Sequence, residues 1–197
     1  FKDDDADFDH WGGAAEVGYG YDVAWKPRVF LGGFYYGGED NRDLTFGEWL
    51  NPFDTPEASV NFNRLFSNQI YSGAVDLTKD LSNCWIGRAG VMAAASDKLS
   101  GLLMLSYFEA LEAFDRPVAP LLTFWTTEND NDLGWETDLF LNYQYSEDLK
   151  FEIGWAHFFT GDGAAQGAYS RAEGLIFTGG TADDDADYIY VGSWLKF

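Results

Sequence analysis

The chain has 197 residues, with 33 acidic and 12 basic side chains and a formal charge of −21, and its pI lies near 4.1. That length suits one domain, and that charge makes nucleic acid a poor partner. Cys84 is the single cysteine, which excludes an intrachain disulfide and a thiolate metal site. No apolar run approaches the roughly 18 residues of a membrane helix. The chain starts without Met and shows no signal peptide, as a mature, trimmed or partial chain does. Aromatic content of 18% and 22 glycines favour strands and tight turns. Such a weakly hydrophobic chain still suits a membrane if it is a β-barrel, because half of each strand faces the lumen.

The pattern DDDAD stands near both ends, at 3–7 and 183–187. After the first copy, Trp11, Gly13, Ala15, Val17, Tyr19 and Tyr21 alternate with Gly12, Ala14, Glu16, Gly18, Gly20 and Asp22, which predicts a strand over about 10–23. Ala24 to Pro27 makes a turn, and a second strand follows over about 28–37, led by Arg28. Residues 38–83 are polar and hold Pro52 and Pro56, so they form a long loop. A third strand is expected over about 84–95, a turn at Ser96-Asp97-Lys98-Leu99, and a fourth strand over 100–112. There apolar residues run on both faces, and alternation does not decide which way Phe108 and Glu109 point. After a loop over 115–133, strands at 134–145 and 150–160 flank the turn Ser146 to Leu149. A Gly-rich loop over 161–186 precedes the last strand, 187–197. Counting residues 70–77 as a further strand would put a long loop on the side of the short turns, so about seven strands are preferred.

The fold class read from this pattern is all-β, an antiparallel transmembrane β-barrel. Strands of about 10–12 residues match a tilted membrane crossing, whereas globular strands more often have five or six. Aromatics gather at strand ends on the apolar faces, as interfacial girdles do. The opposite faces carry Glu16, Asp22, Arg28, Arg88, Glu136, Asp138, Lys150, Glu152 and Lys196, too many charges for a sandwich core. These nine are the candidate pore-lining residues. Gly12, Ala14, Gly18, Gly20, Gly154, Ala156 and Gly192 on the same faces imply an open passage. An odd number of strands cannot close with antiparallel neighbours. Further strands are therefore expected, N-terminal to Phe1 or on another chain.

Four segments, GYGYDVAWKPRVFLGGFYYGGEDN, SNCWIGRAGVMAAASDKLSGLLMLSYFEA, LGWETDLFLNYQYSEDLKFEIGWAHFFTGDG and DADYIYVGSWLKF, resemble the alginate export porins of the bacterial outer membrane. The resemblance implies a barrel of about eighteen strands, of which residues 1–197 would be the C-terminal portion. It also implies a lumen whose arginines guide a polyuronate. In the strand before the last, where such exporters carry inward arginines, this chain has Glu152 and Gly154. The hairpin that helps occlude the alginate channel is only Ser146 to Leu149 here. The nine wall residues counted alone point to a channel for small solutes or saccharides that is not anion-selective. Export of alginate is the alternative.

Other chemistry has less support in the sequence. His157 and His10 lack a serine at any defined spacing, which disfavours an outer-membrane hydrolase, and no catalytic residue is assigned. A sheath for extracellular electron transfer would need haem proteins as partners, because no C-x-x-C-H occurs. The expected surroundings are membrane lipid and lipopolysaccharide. No cofactor is expected, with one reservation. Asp3, Asp4, Asp5 and Asp7, with Asp183, Asp184, Asp185 and Asp187, would mark an extracellular rim able to hold Ca²⁺ against lipopolysaccharide phosphates. Solvated acidic loops are the simpler reading.

Overall fold

A computed structural model describes residues 11–37, 84–111, 130–165 and 184–197. Its seven strands are β1 (Gly12–Gly20), β2 (Arg28–Tyr36), β3 (Cys84–Ala94), β4 (Leu99–Ala110), β5 (Asp132–Gln144), β6 (Leu149–Thr160) and β7 (Ala186–Leu195), with one short helix, α1 (Asp162–Ala165). They form one antiparallel sheet in chain order, and among the described residues β1 and β7 are its two open edges. Of the long loops, 38–83 lies outside the described residues, as do most of 115–133 and of 161–186.

Two of the three short turns share a mechanism. In Ser96-Asp97-Lys98-Leu99 the Ser96 hydroxyl accepts the Leu99 N–H at 3.1 Å. In Ser146-Glu147-Asp148-Leu149 the Ser146 hydroxyl accepts the Leu149 N–H at 3.2 Å. Each serine supplies locally the acceptor that a tight reversal needs, which fixes the register of the strands it joins. The turn after β1 uses Lys26 at a φ of 43°, and its N–H donates to the Val23 carbonyl at 2.8 Å.

Pairing carries one residue of each strand into rows across the sheet. Val91, Leu103, Leu139, Trp155 and Ile189 make one such row. This odd-numbered face remains apolar and exposed from Val17 and Leu31 through Leu105 and Leu141 to Ile153 and Val191. So continuous an apolar surface is what a barrel presents to lipid. Aromatics mark its long-loop end, where Trp11 stacks on Tyr35 at 4.3 Å and Tyr107 meets Trp135 at 4.6 Å.

The even-numbered face is different. Near the long loops Phe34, Tyr36, Cys84, Ile86, Phe108, Ala110 and Leu133 are buried together, with Phe158 against them. Phe108 thus faces inward and Glu109 outward, and the register shifts between them. The shift places Leu133 as an extra residue in β5, and Gly134 follows at a φ of 123°. A Cβ at Gly134 would run into the Phe159 carbonyl oxygen. Gly134→Ala is therefore expected to destabilise the folded protein by about 1–3 kcal/mol, read as a lower urea midpoint in lipid vesicles.

Three of the small inner residues are covered by neighbouring side chains. Gly18 is crossed by the Arg28 guanidinium, whose Nη2 lies 2.6 Å from where a Cβ would stand. Gly154 is covered by the Tyr190 ring and Gly192 by the Trp194 ring. These glycines make room for the side chains of their neighbours. Gly20, by contrast, faces open space.

Candidate functional site

The inner face carries a trough of about 580 Å³ running from Glu16 on β1 to Tyr190 on β7. Its charged lining is Glu16, Lys26, Arg28, Arg88 and Glu152. A second trough of about 570 Å³ continues toward the short turns and adds Asp97, Lys98 and Lys150. The two share Lys26, Ala94, Ser100, Asn142 and Glu152.

Glu16 organises the upper part. Its Oε1 accepts from Arg28 Nη2 at 2.9 Å and its Oε2 from Arg88 Nη2 at 2.7 Å. Pairing explains how residues so distant in the chain meet. Glu16 is opposite Gly32, and Gly32 is opposite Arg88. With no Cβ at Gly32, the Arg88 stem lies across it, 3.5 Å from where that atom would be. Arg88 also stands 4.5 Å from the Phe34 ring centre, and Phe30 lies 5.6 Å from both guanidinium groups. One carboxylate thus balances two guanidinium groups, leaving a net positive cluster held against aromatic faces. Arg88 Nε is buried without a hydrogen-bond partner among the described residues.

A second cluster stands near the short turns. Glu152 accepts from Lys150 Nζ at 3.1 Å and from the Tyr190 hydroxyl at 2.6 Å. Lys150 also lies 5.1 Å from the Trp194 ring centre.

The remaining sequence-chosen wall residues are placed otherwise. Glu136 and Asp138 are on the inner face of β5, but both are 0% exposed and line neither trough. Asp22 is exposed in the segment after β1, outside both linings. Lys196 follows β7 and is exposed; its N–H donates to the Asp148 carbonyl at 2.9 Å. Lys26 and Lys98 were missed by strand alternation because they belong to turns. Their signal was the lysine inside each short turn, which pairing brings beside the wall.

Among the rim aspartates, Asp3, Asp4, Asp5, Asp7 and Asp183 lie outside the described residues, as does His10. Asp185 Oδ1 accepts the Thr160 N–H at 3.0 Å, and the Asp184 carbonyl accepts the Thr160 hydroxyl at 2.9 Å. Asp187 Oδ1 accepts Trp155 Nε1–H at 3.0 Å and lies 2.9 Å from His157 Nδ1. The second acidic run thus fastens the start of β7 to β6. Among the described residues no group of three His, Cys, Asp or Glu side chains is arranged to hold a metal ion. His157 is on the lipid-facing side, and the groups that meet it are Asp187, Asp185, Trp155 and Phe159.

An antiparallel sheet with an apolar outer face and a charged, troughed inner face is a segment of a transmembrane barrel, the architecture of channel and transport proteins. The family model described as Alginate export matches residues 2–176, and the chain belongs to that family. It is a transport family of the outer membrane rather than an enzyme family. No curated protein and no solved structure matches the chain.

Proposed function

We propose that the chain forms part of the wall of a bacterial outer-membrane channel that exports alginate or a similar polyuronate. The observation that carries this reading is the charge of the accessible wall. Lys26, Arg28, Arg88, Lys98 and Lys150 line the troughs against Glu16, Asp97 and Glu152. The balance expected from alternation alone is acidic; Asp22, Glu136, Asp138 and Lys196 of that set line neither trough, while Lys26 and Lys98 join the lining with Asp97. A positive lining lowers the energy of a polyanion in the channel and sets the sign of the permeant. Membership of the Alginate export family points the same way.

On this reading residues 1–197 are the C-terminal portion of a larger barrel, and other strands pair with β1 and β7. The two open edges support it, since unpaired strand backbone in lipid costs several kcal/mol per group. Lipid and lipopolysaccharide surround the outer face.

The test is electrical. The full-length protein in a planar bilayer between unequal KCl solutions is expected to show a reversal potential of anion-preferring sign. Oligouronates added on the short-turn side should interrupt the current. Cation preference with no response to oligouronate would replace this reading with a general pore for small solutes.

A further inference from the structure

Beyond its charges, the inner face carries rings that the polyanion reading leaves unused. On β7 the even positions are Tyr188, Tyr190, Gly192 and Trp194, and all face inward with Lys150 and Glu152. Two of the rings sit over glycine. Tyr190 covers Gly154 of β6, with its Cζ 2.6 Å from where a Cβ would be, and Trp194 covers Gly192, its Cη2 at 2.7 Å. Tyr188 and Tyr190 are 5.8 Å apart at 35°. Interfacial girdles do not account for these rings, because girdle aromatics face lipid and these stand on the opposite face.

We propose that Tyr188, Tyr190 and Trp194 form a stacking track for the pyranose rings of a saccharide chain. The occupant follows from what borders the track. A pyranose has a flat face of C–H groups and a rim of hydroxyl or carboxylate groups. An aromatic ring seated on backbone presents its free face to the first. Glu152, hydrogen-bonded to the Tyr190 hydroxyl, and Lys150, whose ammonium lies over the Trp194 ring at 5.1 Å from its centre, present polar groups to the second. Tyr190 also belongs to the lining of the arginine-bearing trough, so the track and the cation cluster are one continuous surface. A polyuronate meets both: sugar faces on β7, carboxylates toward Lys150 and Arg28. Consecutive inward positions on a strand are about 7 Å apart; Tyr188 and Tyr190 occupy two of them, and the Trp194 ring reaches back over Gly192, the position between. The track lies on β7, beyond the residues 2–176 that match the family. This inference rests on the polyuronate reading for its occupant, but stacking does not depend on charge, and that difference separates the two.

The test uses the full-length protein in planar bilayers with two probes of equal length, an uncharged α-1,4-glucan hexamer and a hexauronate. Both are expected to interrupt the current of the unaltered channel. Trp194→Ala should shorten the interruptions by both probes about tenfold, while Trp194→Phe, which keeps a ring, stays near the unaltered value. If the neutral hexamer does not interrupt the unaltered channel, the track is overturned, even where the hexauronate still acts through charge alone. Unchanged interruptions in Trp194→Ala would overturn it as well. If the neutral probe acts and the hexauronate does not, the track stands and the polyuronate reading falls. Should Trp194→Ala fail to assemble, the neutral probe on the unaltered channel and on Trp194→Phe still decides.

Discussion

An Arg88→Glu channel is expected to lose its preference for anions and to pass oligouronate at least about tenfold more slowly. Arg88 shares Glu16 with Arg28, and the cluster's net positive charge depends on there being two guanidinium groups to one carboxylate. The substitution reverses that balance and sets two carboxylates facing each other across Gly32. The reversal potential in a KCl gradient reads the change directly. Glu16→Gln tests the same cluster in the opposite direction. It leaves both arginines without their counter-charge, so anion preference should rise. Both pairs are partly open to solvent, so removing the carboxylate should cost about 1 kcal/mol or less in stability.

Leu139→Arg is expected to destabilise the folded protein by about 2–4 kcal/mol in a lipid bilayer, the cost of an arginine near the midplane of a barrel's lipid face. Leu139 sits midway along β5, in the row with Leu103 and Trp155, on the exposed apolar face. Asn142→Arg, three residues on, places the same side chain on the trough and should cost under about 1 kcal/mol. Urea unfolding from vesicles gives both values. Equal costs would mean that the faces are wrongly assigned.

The faces themselves were legible because the side-chain period of a strand is two and lipid demands apolar residues on one side. The run Trp135, Thr137, Leu139, Leu141, Tyr143 shows this without any structure. Ser96 and Ser146 announced their turns, since a serine three residues before a leucine, between two alternating runs, has a local acceptor to offer. Residues 102–105, Leu-Leu-Met-Leu, are apolar on both faces. Periodicity therefore gave no direction for Phe108 and Glu109. Only the inward apolar cluster and the register shift before Leu133 and Gly134 settle it.

The candidate site was legible residue by residue but not as a balance of charge. Alternation placed Glu16, Arg28, Arg88, Lys150 and Glu152 on one face, and pairing joined them into two clusters. It placed Glu136 and Asp138 there equally, because a period of two reports direction and is blind to depth. Whether an inward side chain meets the passage or is buried depends on what lies across from it, and that is long-range information. Lys26 and Lys98 belong to turns, where no period exists, and they reach the wall only through the strands that the turns connect. By itself, then, the sequence determined the architecture, the two faces and the family, because each is written in local pattern or in motif. Which charged side chains line the troughs, and the seating of Tyr190 and Trp194 over glycine, depend on tertiary structure. Both arise from neighbours brought together across strands, such as Arg28 and Arg88 on Glu16 and Tyr190 over Gly154.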